Sequence, residues 1–214
     1  MKQALAVLTV SIGLLAAVGC APKLVTYPSS EIQSIGPPPQ KQVDSPEFTA
    51  AAVSLWGAMD AILQFNQTEI RPVVDRLHAA AEKMDHDAFD ALVVDGLGKS
   101  DRMFLLVLDG EGALNRFRST NATVRDPQVM NRGELVALSA QAFLKQARLG
   151  VTQGRRVLED GYAYNRSWHE KNLSHLNDKN EASFNNGAKR FHEQEKVIRE
   201  TRDALAQALR DLLA

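Results

Sequence analysis

The chain has 214 residues, of which 44% are hydrophobic and 24% charged, with a formal charge of −1. Such a balance suits one globular domain with tails, and the lack of a basic surplus excludes the usual signature of a nucleic-acid-binding protein. The single cysteine, Cys20, excludes an intrachain disulfide, a cysteine-based zinc site and a catalytic thiol in a folded domain downstream of it.

Residues 1–19 read as a secretory signal. Lys2 supplies the positive start, and Ala4 to Val18 form an apolar stretch interrupted by Thr9, Ser11 and Gly13. It is short of the roughly 20 apolar residues that a transmembrane helix needs. The junction Ala17-Val18-Gly19-Cys20 resembles the lipobox of bacterial lipoproteins, in which an aliphatic or small residue and two small residues precede the cysteine. The resemblance covers only the first twenty residues. It implies that Cys20 receives a diacylglyceryl thioether, becomes the first mature residue and is N-acylated. Two or more acyl chains anchor a protein stably. In lipoproteins of Gram-negative bacteria, a residue such as Ala21 in place of aspartate implies export to the outer membrane. The expected location is therefore the cell outer membrane, with the domain facing the periplasm.

Residues 20–44 hold the lipidated cysteine and a tether. Pro22, Pro28, Pro37, Pro38 and Pro39 stand among serines and glutamines without a hydrophobic period. Proline fixes φ and removes donors, so an extended, partly polyproline II spacer is expected.

Residues 45–214 predict an all-α fold, an elongated antiparallel bundle of about four helices with coiled-coil-like packing. Ser45-Pro46-Glu47 is a helix start, with a capping hydroxyl, a proline at the first helical position and an acid near the positive end of the dipole. Phe48, Ala52, Leu55, Met59 and Ile62 follow in steps of four and three. Pro72 predicts a kink or break near Arg71-Pro72, after which Val73, Leu77, Ala80 and Met84 resume the pattern in a shifted phase. In Asp85 to Ser119 the same stepping recurs, yet four glycines oppose helix and residues 91–108 include an apolar run that also suits a buried strand. Two helical pieces with a break around Gly96 to Ser100 are expected. The next helix has a long seam from Val136 to Trp168, capped by Asp126 or Asn131. On that seam Ala140, Ala147, Gly154 and Gly161 form a row of small residues where a partner backbone should approach closely. Asn185-Asn186-Gly187 signals a turn, and Phe191, Ile198, Leu205 and Leu212 mark the final helix at heptad spacing.

Few residues carry chemistry. Gly98-Lys99-Ser100 mimics the end of a phosphate-binding loop but lacks the glycine that the motif needs where Val93 stands. Asp75 with His78, His192 with Glu195, and Asp85-His86-Asp87 do not make the paired Glu-x-x-His motifs of a di-metal bundle. No metal, cofactor or catalytic residue is expected. Tyr162, Tyr164, Trp168, His169 and His175 gather near one end of the long helix. They are either core anchors or the lining of a pocket, and Tyr162, Trp168 and His169 are the candidate partner or ligand surface. The sequence therefore predicts a membrane-anchored, non-enzymatic interaction or scaffold lipoprotein of the cell envelope that docks an envelope protein and binds no nucleic acid. The alternative is a periplasmic bundle that binds a small ligand or metal.

Overall fold

The computed structural model describes Ile32, Ile35, Gly36, Pro38 and residues 43–213. Five α-helices are arranged as four antiparallel rods. The first rod comprises α1 (Pro46–Phe65), a π-helical turn (Asn66–Ile70) and α2 (Arg71–Glu82). The others are α3 (His86–Asn121), α4 (Pro127–His169) and α5 (Asn177–Leu213), with a 3-10 segment, Lys171–Leu176, between the last two. At 43 residues, α4 is about 65 Å long. α3 and α4 occupy the middle, with α1 and α2 packed on α3, and α5 on α4.

Local chemistry explains most boundaries. The Ser45 side chain accepts from the Phe48 N–H at 3.1 Å and starts α1. Asp85 does the same for α3 from Ala88, and Asp126 for α4 from Gln128 and Val129. The α2–α3 turn is a Schellman motif. Met84 N–H donates to Ala81 O and Asp85 N–H to Ala80 O, with Met84 at φ +53° where glycine is usual.

The first rod runs through Pro72 without breaking. Proline has no N–H to offer the Thr68 carbonyl, and its ring would press on that group. The chain inserts a π turn instead, in which Arg71 N–H donates to Asn66 O five residues back. By length and a mean hydropathy of 1.3, Pro46–Glu82 is apolar enough to cross a membrane, but its apolar stripe is the face packed on α3.

Two expected interruptions are absent. α3 is continuous through Gly96 to Ser100, and α5 is continuous through Asn185-Asn186-Gly187. In each case tertiary contact outweighs the roughly 1 kcal/mol that a glycine costs in a helix. A Cβ on Gly96 would lie 3.0 Å from Leu158 Cδ1, and one on Gly187 3.3 Å from Val157 Cγ2. Residues 91–108 are helical throughout, and no strand occurs among the described residues.

The small-residue row on α4 meets side chains of α5, where a backbone was expected. Ile198, Phe191 and Phe184, spaced by seven, sit over Gly150, Gly154 and Gly161. Gly161 is fully buried, and a Cβ there would lie 2.9 Å from Phe184 Cε2 and 3.4 Å from Phe89 Cζ. Gly161→Leu gains about 1 kcal/mol of helix propensity but overpacks two rings, which typically costs 1–3 kcal/mol. A melting temperature a few degrees lower is expected by calorimetry; a higher one would contradict the packing.

The hydrophobic interior falls into two clusters. The larger holds Phe48, Trp56, Met59, Phe117, Phe143 and Leu209, among others, where α1, α3, α4 and α5 meet. The smaller centres on Ala80, Phe89 and Val93, where α2 and the start of α3 meet α4 and α5. The described residues of the expected tether lie against the bundle. Ile32 joins the larger cluster, and Ile35 N–H donates to Asp60 at 3.2 Å. Gly36 O accepts from Trp56 Nε1 at 2.6 Å.

Candidate functional site

Between the two clusters the rods do not close on each other. A cavity of about 160 Å³ runs there, partly open to solvent. Met103, Phe143 and Ala147 bound it on one side, and Leu77, Phe89 and Val93 on the other. Gly150, Val151, Gly154, Val157 and Leu158 supply the α4 wall, and Phe184, Phe191 and Ile198 the α5 wall. The glycines of α4 are thus also what keeps this half of the interior loosely filled. Polar lining is sparse. The Ser100 hydroxyl donates to Gly96 O at 2.9 Å, and His192 Nδ1 lies 3.7 Å from the buried Glu195 carboxylate.

A second, smaller cavity of about 20 Å³ lies beyond Phe89, towards the C-terminal end of α4. Phe89 and Ala81 line both. Its other walls include Met84 and Asp85 of the α2–α3 turn, His86, Tyr164, Asn165 and Trp168. Asn165 is its structural keystone. Buried on α4, it donates through Nδ2 to His86 O at 2.9 Å and to Asp90 Oδ1 at 2.8 Å. Its Oδ1 lies 2.6 Å from His86 Nδ1. An amide oxygen only accepts, so His86 carries a proton on Nδ1. Phe184 stacks on Tyr164 with ring centroids 5.9 Å apart and meets Phe89 edge-on at 6.4 Å, which closes the aromatic wall.

Two donors at this cavity are unsatisfied. The Tyr164 hydroxyl and the Trp168 indole N–H are both buried without a hydrogen-bond partner among the described residues. Burial, and secondarily the Glu181 carboxylate, holds the Tyr164 pKa well above the usual phenol range, so its oxygen keeps its proton. Comparison with protein-family models, with curated proteins and with solved structures finds no match. The site therefore rests on its geometry.

The residues singled out from sequence separate. Tyr162 is exposed, with the Arg166 guanidinium 5.7 Å from its ring centroid. Trp168 is half-buried, its ring 6.3 Å from that of Tyr164. His169 is exposed, its ring 5.4 Å from that of His86. His175 is exposed on the 3-10 segment. Cys20 lies outside the described residues. Lys99, in the phosphate-loop mimic, sits mid-helix and pairs with Glu69 at 3.3 Å and Asp95 at 3.2 Å. No group of three or more metal-ligating side chains gathers among the described residues. Sequence reasoning missed the joint roles of Asn165, Phe89 and Phe184. Only Asn165 offered a signal, as an amide set in an otherwise apolar seam.

Proposed function

We propose that this is a lipid-anchored protein of the bacterial outer membrane whose helical bundle, facing the periplasm, binds an elongated apolar small molecule without transforming it. The observation that carries this reading is the apolar cavity between the two halves of the core. The half of the bundle around Phe48, Phe117 and Phe143 is closely packed, so the rods are able to close. Where they stay apart, an apolar occupant restores the lost dispersion contacts. A lipid anchor would place this cavity close to a supply of such molecules.

Docking of an envelope protein is the second reading. Leu135, Leu138 and Leu149, exposed on α4, favour it, with Val197 exposed on α5.

One labelling experiment separates the two. The mature lipidated protein, held in a detergent-free amphipathic polymer, is exposed to a hexadecyl chain bearing a mid-chain diazirine. Adducts are then mapped by mass spectrometry. They are expected within residues 151–158 of α4 and 188–198 of α5. Adducts confined to the outer leucines would remove the cavity reading and favour docking.

A further inference from the structure

The two cavities are neighbours across one layer of side chains, and they differ in chemistry. The larger is walled mostly by hydrocarbon, whereas the smaller is lined by Tyr164 and Trp168, whose O–H and Nε1–H are buried with no hydrogen-bond partner among the described residues. Tyr164 is 5% exposed. A buried donor left unmet costs more than an ordinary hydrogen bond contributes, and two of them on successive turns of α4, both on residues lining this cavity, call for an acceptor.

We infer that the ligand of the apolar cavity carries a neutral carbonyl, of an ester or amide, whose oxygen enters the smaller cavity to meet the Tyr164 hydroxyl and the Trp168 indole N–H while the chain lies between α4 and α5. This rests on the apolar-ligand reading above.

The charge around the donors selects a neutral carbonyl over a carboxylate. The described lining of the smaller cavity holds no lysine or arginine. It holds Asp85, and Asp90 and Glu181 stand just behind, on Asn165 and Tyr164. His86 also lines it and gives its Nδ1–H to Asn165. A carboxylate would meet the Asp85 charge with no lysine or arginine in the described lining to offset it, whereas a carbonyl oxygen takes both donors without that repulsion. The carbonyl oxygen reaches the donors past the Phe89 ring, which lines both cavities, so the ring turns aside as the ligand seats. A single ordered water is the simplest rival, since 20 Å³ is room for one.

The test uses three diazirine probes with the same chain, ending in a methyl ester, a free carboxylate or a methyl group. Each is applied to the full mature protein and to its Tyr164→Phe variant. The variant removes one unpartnered hydroxyl and no ring, so helicity by circular dichroism and melting temperature should hold or rise. In the parent protein the ester probe should label the cavity roughly tenfold more efficiently than the other two, the effect of a hydrogen bond to a buried donor. In Tyr164→Phe that preference should fall towards unity, and Trp168→Phe should behave alike. Equal labelling by ester and hydrocarbon, or an ester preference that survives in Tyr164→Phe, would overturn the inference, assign the donors to water and leave the apolar cavity standing. A preference for the carboxylate would overturn it in favour of an anionic ligand. Failure of all three probes to label the cavity would remove the apolar-ligand reading itself.

Discussion

Trp56→Ala is expected to lower the stability of the bundle by about 3–5 kcal/mol, the usual cost of removing a fully buried aromatic. Trp56 is 2% exposed in the larger cluster, and its indole N–H is the link between α1 and the Gly36 carbonyl. In a domain of this size the loss corresponds to a fall on the order of 10 °C in melting temperature. Trp56→Phe separates packing from the hydrogen bond. It keeps most of the apolar surface and removes the hydrogen bond from Trp56 Nε1 to Gly36 O, at a cost of about 1 kcal/mol. The same variant should expose the peptide around Ile35 and Gly36 to limited proteolysis while α3 and α4 stay protected. A Trp56→Ala variant that melts within a degree or two of the parent would show that the indole is not an anchor of this core.

Cys20→Ala should have the largest effect of all, because it is all-or-none. The lipobox resemblance makes that thiol the sole point of acylation, so the variant should take up no radiolabelled palmitate. It should either leave the membrane fraction or accumulate as uncleaved precursor. Acyl chains contribute about 0.8 kcal/mol per buried methylene, so two or three of them hold a protein stably at a bilayer. Normal mass and normal outer-membrane retention in Cys20→Ala would end the lipoprotein reading. Every described residue of the core and of the cavity lining lies after Cys20, so the cavity should be intact in released protein, and labelling by the hexadecyl probe should persist.

The helical class was legible because apolar residues recur in steps of four and three from Phe48 to Leu212, and that period is a property of the chain itself. One helix start was legible for the same kind of reason, since Ser45 satisfies an N–H three residues away, an interaction that needs no tertiary partner. For α4 the choice lay between Asp126 and Asn131, and Asp126 is the cap; the Asp85 cap of α3 was not read. Where the reading failed, at Gly96 to Ser100 and at Asn185 to Gly187, it weighed intrinsic propensity against an unseen packing term. The contacts of Gly96 with Leu158 and of Gly187 with Val157 come from segments about 60 and 30 residues away.

The candidate site was legible only in outline. The sequence shows aromatic and imidazole groups crowding one end of α4, and heptad spacing sets Tyr164 and Trp168 among the seam positions. It does not show which of them faces a cavity, because i and i+4 neighbours share a face whether that face is filled or open. By itself the sequence determined the class of fold and the capped start of α1, and it narrowed the start of α4 to Asp126 or Asn131. These follow from short-range periodicity and capping. Tertiary structure alone decided that α3 and α5 run unbroken, that phenylalanines of α5 rest on glycines of α4, and that Asn165 ties α4 to His86. It also decided that the interior stays open beside two unmet donors. Each of these depends on how closely surfaces distant in the chain approach, a distance set by the summed packing of four rods and by no local stretch of sequence.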